Sequence, residues 1–321
     1  MSFNIIHGDI AKVNTDAVVL PANPELLVGP GSSQAVFEAA GWEELTAACK
    51  EIGYCPLGSA VITPGFNLKS KNVIHAVCPR YIDGTHKEAE LLYSAYQTSL
   101  QLAVDNGLKS ISFPLLSAGN YMFPRGEALS IANRAIKDFL EDRDDDFYVQ
   151  LVIYDKEVLR KHSRFMYELD RLVGRGNYES DELYMRVAEP SMCVGSAVSL
   201  EDLVKNKEKP FVDLLNEYII RSELTNPQVY KKAMISKQVF SKAISGQDVP
   251  KKNTILAIAV ALELSIGDTE KLLMKAGYSL SDNSITDIVV RYFIERRKYD
   301  VMLINEMLFY YEEPLLGNVA C

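Results

Sequence analysis

The chain lacks a long uninterrupted apolar segment. Its 321 residues are 48% hydrophobic and 24% charged, yet no run approaches the roughly 20 apolar residues that a helix needs to cross a bilayer. The first ten residues, MSFNIIHGDI, also lack the basic and then apolar pattern of a secretory signal peptide. We therefore expect a cytoplasmic protein that makes no membrane contact.

Residues that build metal sites and disulfides are scarce as well. The 5 cysteines and 4 histidines are scattered along the chain, and no CxxC pair or HExxH helix occurs. An odd number of cysteines in a chain without an export signal indicates reduced thiols. Zinc sites need nitrogen and sulfur ligands at close spacing, so we expect neither a bound metal nor a cofactor.

An excess of basic residues is also missing. The net charge is -9, which argues against indiscriminate binding of nucleic acid by the chain as a whole. Residues 210–321 carry roughly as many Lys and Arg as Asp and Glu. A local basic face is therefore still compatible with the second half of the sequence.

Short runs rich in Val and Ile alternate with segments of helical period in the first half. The strand-like runs cover 16–20, 58–63, 72–77, 110–116 and 148–154, and the helix-like segments cover about 33–50, 88–106, 125–141 and 156–172. This alternation predicts a three-layer α/β fold with a mostly parallel mixed sheet. Ligands of such sheets bind outside the carboxyl ends of the strands.

The periodicity fails over residues 174–209, where Gly, Pro, Ser and charged residues mix. We predict a linker there, because a single core rarely exceeds about 250 residues. Residues 210–321 contain several segments of helical period separated by turn residues such as Gly246, Pro250 and Gly267. The predicted organisation is an α/β domain over 1–173 and an all-α domain over 210–321.

Two small-residue loops follow strands and precede helices. In VVLPANPELLVGPGSSQAVFEAAG (18–41) a buried strand ends near Asn23, and Gly29-Pro30-Gly31 leads into a helix. In PLLSAGNYMFPRGEA (114–128) a second such loop occupies the same setting. Glycine lets main-chain N–H groups approach an anion, and a helix start attracts negative charge. Two loops of this kind indicate a diphosphate.

Side chains at three strand ends can hold the rest of a nucleotide. The Asp9 carboxylate can accept from the amine of a base, the Asn23 carboxamide can bond a sugar hydroxyl, and the Tyr154 ring can stack on a base. Each also has a purely structural alternative, since Asp9 can cap a turn and Tyr154 can be half-buried packing. His75, inside an apolar strand, is read as a core histidine rather than a base.

The first half resembles the macrodomain family. The segments GDI, DAVVLPAN, LLVGPGSSQAVFEAAG, CPLGSAVITPGFNL, KNVIHAVCP and FPLLSAGNYMFP occur in the family's order. The resemblance implies that the chain binds ADP-ribose or an ADP-ribosylated macromolecule, with adenine at Asp9 and the distal ribose at Asn23. The ligand-binding residues expected are Asp9, Ile10, Asn23, Gly29, Pro30, Gly31, Ser32, Ser33, Ser117, Ala118, Gly119, Asn120, Tyr121 and Tyr154.

The same resemblance raises the question of catalysis. In the branch of the family that removes acetyl and ADP-ribosyl groups, the glycine loop continues into an aspartate and a histidine, whereas here Ser33 and Phe37 stand at those positions. A serine hydroxyl cannot act as a base near pH 7 without a partner that takes its proton. We expect hydrolysis of the ADP-ribosyl or O-acetyl linkage, with Asn23 and Ser33 at the reacting end, or else a non-catalytic reader or sensor.

The second half contains a segment that resembles the repressor-like helix-turn-helix family. The resemblance rests on ISKQVFSKAISG, a following proline and TILAIAVALEL in the expected order. If the segment binds DNA as that family does, the exposed face of its second helix carries Lys237, Gln238, Ser241 and Lys242. Small helical bundles also serve as docking modules, so a protein partner is the alternative.

Overall fold

A computed structural model describes residues 2–141, 143, 147–155, 164–173 and 211–317. The predicted linker over 174–209 lies outside these described residues, as does the first part of the helix expected at 156–172. Among the described helices, none is both long and apolar enough to cross a membrane.

A six-stranded sheet forms the centre of the first region. Its strands are β1 (Ser2–His7), β2 (Ala17–Ala22), β3 (Ala60–Pro64), β4 (Asn72–Val77), β5 (Ser110–Pro114) and β6 (Tyr148–Ile153). They lie in the order β1-β6-β5-β2-β4-β3, and only the β3 and β4 pair is antiparallel. The predicted α/β fold with a mostly parallel mixed sheet is confirmed.

Helices cover both faces of the sheet. They are α1 (Ser32–Ala40), α2 (Trp42–Ile52), α3 (Glu88–Asp105), α4 (Arg125–Glu141) and α5 (Arg164–Val173), with a 3-10 turn at Ile10–Lys12. Successive residues of β2 enter opposite cores: Ala17 and Val19 pack in one cluster, and Val18 and Leu20 in the other. This period of two is what a strand buried on both faces requires.

One helical boundary differs from the sequence prediction. The pattern over 33–50 predicts a single helix, but the structure has α1 and α2 with Gly41 between them. Gly41 has φ 108°, a backbone conformation that glycine adopts without the steric cost of a Cβ atom. The apolar period continues across this break, so periodicity alone does not reveal it.

The second region consists of short helices packed around one helix that is almost entirely buried. They are α6 (Phe211–Arg221), α7 (Asn226–Lys232), α8 (Lys237–Ser245), α9 (Lys252–Ala261), α10 (Ile266–Lys275), α11 (Ile285–Glu295) and α12 (Val301–Tyr310). All residues of α9 from Thr254 to its end are buried, so it is the central helix of the bundle. Side chains of Thr225, Ser236, Ser265, Ser284 and Asp300 cap the starts of their helices.

The two regions share a seam. Apolar side chains of β1, α4 and α5 join those of the helical region in one continuous cluster. Polar contacts cross the same seam: the Lys231 ammonium donates to the carbonyl of Glu141 at 2.8 Å, and the Tyr311 hydroxyl donates to Asp170 at 2.9 Å. The helical region therefore packs against the α/β region instead of standing apart from it.

An acid and an amide face each other at this seam. The Asn133 Nδ2 on α4 donates to Glu306 Oε1 on α12, while the buried Asn133 Oδ1 has no hydrogen-bond partner. Burial, together with the nearby Asp300 carboxylate, raises the pKa of Glu306 to about 8. A neutral Glu306 carries an O–H that can donate to Asn133 Oδ1, which would satisfy the orphaned acceptor.

Replacing Glu306 with Gln tests this pair. Because the folded state holds the Glu306 proton up to about pH 8, its contribution to stability is present below about pH 4.5 and is lost as pH rises through 8. The amide of Glu306→Gln keeps both hydrogen bonds and does not titrate. We expect its thermal unfolding midpoint to fall less than that of the parent between about pH 6 and about pH 9.

The exposed Glu295, at the end of α11, offers the matched control. Glu295→Gln should leave the parent's pH dependence of unfolding unchanged. An equal pH slope in the parent and in Glu306→Gln would contradict the neutral acid and amide pair.

Candidate functional site

Four loops meet at one edge of the sheet. Strands β1, β2, β5 and β6 are parallel, so the segments that follow them emerge at the same edge. These segments contain Asp9, the loop 23–33, the loop 115–123 and Tyr154. Two neighbouring cavities open among them.

The larger cavity, of about 490 Å³, lies at the ends of β1 and β6. Its volume suits a nucleoside. It is lined by Gly8, Asp9, Ile10, Gly31, Ser32, Ala35, Pro114, Leu115, Ala118, Gly119, Arg125, Val152, Ile153, Tyr154 and Asp155. We call it the base cavity.

The smaller cavity, of about 160 Å³, lies at the end of β2. It is lined by Pro21, Asn23, Gly29, Pro30, Gly31, Ser32, Ser33, Leu115, Ser117, Gly119, Asn120 and Tyr121. We call it the distal cavity. Gly31, Ser32, Leu115 and Gly119 line both cavities, so the two form one bent cleft.

The first loop delivers the start of α1 to this cleft. Gly31, at φ 77°, immediately precedes the helix, and the first N–H groups of a helix have no partner within it. Such groups and the helix dipole favour an anion. The loop therefore presents main-chain donors where the two cavities join.

Ser33 is engaged within its own loop. Its side chain is 2% exposed, and its Oγ accepts a hydrogen bond from the Gly29 N–H at 3.1 Å. This bond stabilises the loop, and it leaves the hydroxyl proton available for donation into the distal cavity. Ser33 thus acts as a donor in this arrangement rather than as a base.

The second loop closes over the cleft from the opposite side. Ser117 adopts φ 60° and donates through its Oγ to the carbonyl of Pro79 at 3.0 Å. The Asn120 Nδ2 reaches across to the carbonyl of Pro30 at 3.3 Å. This bond joins the two loops above the point where the cavities meet.

Asn23 organises the first loop as well as facing the distal cavity. Its Nδ2 donates to the carbonyl of Leu27 at 2.8 Å, and its Oδ1 accepts from the Leu27 N–H at 2.9 Å. Both polar atoms of the carboxamide therefore bond the loop in this structure. Its second N–H and the second lone pair of Oδ1 are left for a sugar hydroxyl, so Asn23 can bind one while both bonds to Leu27 stay in place.

Asp9 caps the 3-10 turn that follows β1. Its carboxylate accepts from the Ala11 N–H at 3.0 Å and lies 3.5 Å from the Lys12 ammonium. The structural alternative considered for Asp9 is thus present, yet the residue also lines the base cavity. A carboxylate has lone pairs for both contacts.

Tyr154 lines the base cavity at the end of β6 and is 80% exposed. It is not packed, which leaves the face of its ring open to a base. Beside it, Arg125 and Asp155 form an ion pair at 3.4 Å, and both line the base cavity. Neither residue was predicted from the sequence as part of the site. Their positions gave a signal, because Arg125 begins the helix after the second loop and Asp155 directly follows Tyr154.

Three buried or half-buried titratable side chains of the described sheet region are poorly suited to act as bases. Burial lowers the pKa of His75 to about 4, and its Nε2 lies 2.8 Å from the Thr63 hydroxyl. Burial raises the pKa of the Cys78 thiol to about 12, so this thiol is protonated at neutral pH. Burial, with lesser effects from Cys78 and Glu25, raises the pKa of Tyr121.

One group of side chains outside the cleft has metal-ligand character. Carboxylate and imidazole atoms of Asp83, His86 and Glu88 lie within 4.8 Å of one another. However, Glu88 accepts from the backbone N–H groups of Ile82, Gly84 and His86. Burial opposes the charge of Glu88, but hydrogen bonds from the backbone N–H groups of Glu88 itself, Ile82, Gly84 and Asp83 prevail and lower its pKa to about 2. The carboxylate therefore serves the shape of the loop 82–86.

The four residues considered for DNA contact lie on α8. Lys237, Gln238, Ser241 and Lys242 are all exposed, and the opposite side of the helix buries Phe240. The Ser236 hydroxyl caps the helix by accepting from the Val239 N–H at 3.3 Å. These four residues share one solvent-facing side, remote in sequence from the residues that line the cleft.

The family described as Macro domain matches residues 19–132. An O-acetyl-ADP-ribose deacetylase of Citrobacter rodentium is 44% identical over 167 residues, which cover 51% of this chain and 94% of that protein. A protein of the same name from Escherichia fergusonii is 41% identical with the same coverage. A variant of the Oceanobacillus iheyensis macrodomain solved with ADPR is 35% identical, covers 48% of this chain and 86% of that one, and has a TM-score of 0.45.

These relatives correspond to about half of the chain. The matched family segment begins within β2 and runs into α4, so it contains the distal cavity and both small-residue loops. Because the chain covers 94% of a relative to which it is 44% identical, it belongs to the macrodomain family.

Proposed function

We propose that this macrodomain protein binds ADP-ribose in the bent cleft and hydrolyses the O-acetyl ester on its distal ribose. The observation that carries the proposal is the pair of cavities joined at Gly31, Ser32 and Gly119. One cavity suits a nucleoside, the other suits a second sugar, and donors for a diphosphate lie between them. The names of the 44% and 41% identical relatives support this assignment.

In the proposed complex, adenine occupies the base cavity. Asp9 accepts a hydrogen bond from its amine, Ile10 packs beneath it, and Tyr154 stacks on its free face. The diphosphate lies between the two loops, where Gly29, Gly31, Ala118 and Gly119 leave room for main-chain donors. Pro30 supplies no N–H. Asn23 then holds a hydroxyl of the distal ribose.

The proposed reaction uses orientation instead of a protein base. A water attacks the acetyl carbonyl, the bond between that carbon and the ribose oxygen breaks, and acetate and ADP-ribose leave. A phosphate oxygen of the ligand can receive the water proton, since Ser33 cannot, and this proton passes to the leaving ribose oxygen, which becomes the free hydroxyl of ADP-ribose. The Ser33 O–H faces the distal cavity and can stabilise the negative oxygen that forms on the carbonyl. One such donor is typically worth about 100- to 1000-fold in rate.

Asn23→Ala tests binding and turnover together. The substitution removes the contact to the distal ribose and both bonds to Leu27, so we expect the Kd for ADP-ribose to rise about tenfold or more. Deacetylation of O-acetyl-ADP-ribose should fall further. Isothermal titration and acetate release on the same samples measure the two effects.

The exposed Gln34 on α1, which bonds Glu38 at 2.7 Å, provides a control near the same loop. Gln34→Ala should bind and turn over as the parent does. If the folded parent fails to bind ADP-ribose at high micromolar concentration, the proposal is wrong.

Ser33→Ala and Ser33→Thr separate catalysis from loop structure. Ser33→Thr retains a hydroxyl that can accept from Gly29 and donate to the reacting oxygen, whereas Ser33→Ala loses both. We expect acetate release to fall about 100-fold in Ser33→Ala and to recover partly in Ser33→Thr. Equal rates in the parent and in Ser33→Ala would remove Ser33 from the reaction.

A second candidate function is a non-catalytic reader of ADP-ribose. The observation that favours it is Ser33 itself, a buried hydroxyl at the position where the hydrolytic branch carries an acid. In that case ADP-ribose binds the same cleft without being hydrolysed. Its binding then changes how tightly the helical region holds DNA or a protein partner. Binding of ADP-ribose without release of acetate or of a modified protein would favour the reader.

For the helical region we propose the helix-turn-helix assignment with DNA contact through α8. The exposed set of Lys237, Gln238, Ser241 and Lys242 on one side of a capped helix supports it. The charge balance of this region is near neutral, so phosphate contacts would be few, and both the affinity and its dependence on salt would be modest.

Charge reversal on α8 tests this assignment. Lys237→Glu with Lys242→Glu should weaken duplex DNA binding, measured by fluorescence anisotropy at low salt, about tenfold or more, and should lower the slope of affinity against salt by about two charges. Lys50→Glu, an equally exposed change on α2, is the control. If the parent binds no DNA at low salt, the DNA assignment is wrong, and a protein partner becomes the alternative for the exposed side of α8.

A further inference from the structure

Exposed apolar side chains concentrate around the distal cavity. Thirteen large apolar side chains stand exposed among the described residues, and six of them lie on loops at this end of the cleft. Their exposed fractions range from 39 to 69%. They are Leu27, Val28, Tyr54, Leu57, Ile82 and Met122, and we call this set the apolar rim.

Hydrogen bonds tie the loops of the rim to the cleft. The Cys55 N–H, beside Tyr54, donates to the carbonyl of Pro24 at 2.9 Å. The Tyr81 N–H, beside Ile82, donates to the carbonyl of Tyr121, beside Met122, at 2.8 Å. The loops that carry the apolar rim therefore adjoin the loops that line the distal cavity.

The conformation of the rim is held in place. Glu88 accepts from the N–H groups of Ile82 and Gly84, which fixes the loop that presents Ile82. Leu27 is fixed by its two bonds to Asn23. Backbone segments that are already held in one conformation lose little conformational freedom when a partner covers them. Exposed apolar patches at such positions mark interaction sites more often than chance.

Whatever is attached to the distal ribose must leave the cleft past this rim. An acetyl group is too small to reach it from inside the cavity, whereas a polypeptide attached at the same position would lie directly on it. The charged residues that flank Tyr121 here are one acid, Glu25, and one base, Arg80. Two further acids, Asp83 and Glu88, lie beside Ile82, so a rim of six apolar side chains in these surroundings offers no attraction to a polyphosphate chain, and nucleic acid is disfavoured as the attached group.

We propose that the apolar rim docks the polypeptide that carries an ADP-ribosyl group whose distal ribose occupies the distal cavity. This proposal rests on the proposed binding of ADP-ribose, and it adds a protein-binding surface to that site. The base cavity and the loops recognise the nucleotide, and the rim recognises apolar side chains next to the modified residue. The rim should therefore affect modified proteins and not small ligands.

The test substitutes two rim residues on separate loops, Tyr54→Ser with Ile82→Ser. Neither residue lines the cleft, and both side chains are about two thirds exposed, so folding and ADP-ribose binding should be unchanged. The control is Ile220→Ser with Met274→Ser, an equally exposed pair in the helical region. The ligands are ADP-ribose, O-acetyl-ADP-ribose and a protein mono-ADP-ribosylated on a glutamate.

We expect the rim pair to lower kcat/KM for the modified protein about tenfold while the kcat/KM for O-acetyl-ADP-ribose and the Kd for ADP-ribose keep the parent's values. The control pair should change none of them. If the parent binds but does not hydrolyse, the same tenfold loss is expected in the Kd for the modified protein.

Two results would overturn the docking surface while leaving the proposed function intact. One is an equal effect of the rim pair and the control pair on the modified protein. The other is a parent that binds the modified protein no more tightly than free ADP-ribose. Failure of the parent to bind ADP-ribose at all would overturn both proposals.

Discussion

The parallel pairing of β2 with β5 is the constraint on which the site depends. The register sets Ala17 beside Ile111 and Val18 beside Ser112, so both strands run in the same direction and end at the same edge. Their following loops are far apart in sequence, yet Asn120 of one reaches Pro30 of the other. If either strand ran the opposite way, the two sets of main-chain donors would lie at opposite edges and could not share a diphosphate.

Burial limits which side chains of the α/β region can act as bases. It keeps the His75 imidazole neutral and the Cys78 thiol protonated, and neither residue lines the two cavities. The proposed hydrolysis needs no protein base, because holding water and ester in line removes much of the entropic barrier. Such a reaction depends on loop geometry, and the hydrogen bonds of Asn23 and Asn120 hold the two loops in place.

Sequence reasoning predicted the fold well because period-two and period-3.6 patterns report directly on burial. Five strands and the α/β class were predicted from such runs, whereas the break at Gly41 was missed because the apolar period continues through it. The positions of Arg125 and Asp155 in the base cavity follow from which strand ends are neighbours, and a single sequence does not reveal strand order. The hydrogen-bond partners of Asn23 and Ser33 could not be predicted from the sequence either, because they depend on the backbone conformation of the loop.

Helix α4 connects the cleft to the helical region. It begins at Arg125, in the base cavity, and its last turns carry Lys137 and Glu141, which contact the helical region. Its 17 residues span roughly 25 Å at 1.5 Å per residue. The Asn133 and Glu306 pair joins α4 to α12 along this length. Any shift of α4 against the helical region would therefore have to break or repack a buried polar pair, and leaving buried polar groups without partners is costly.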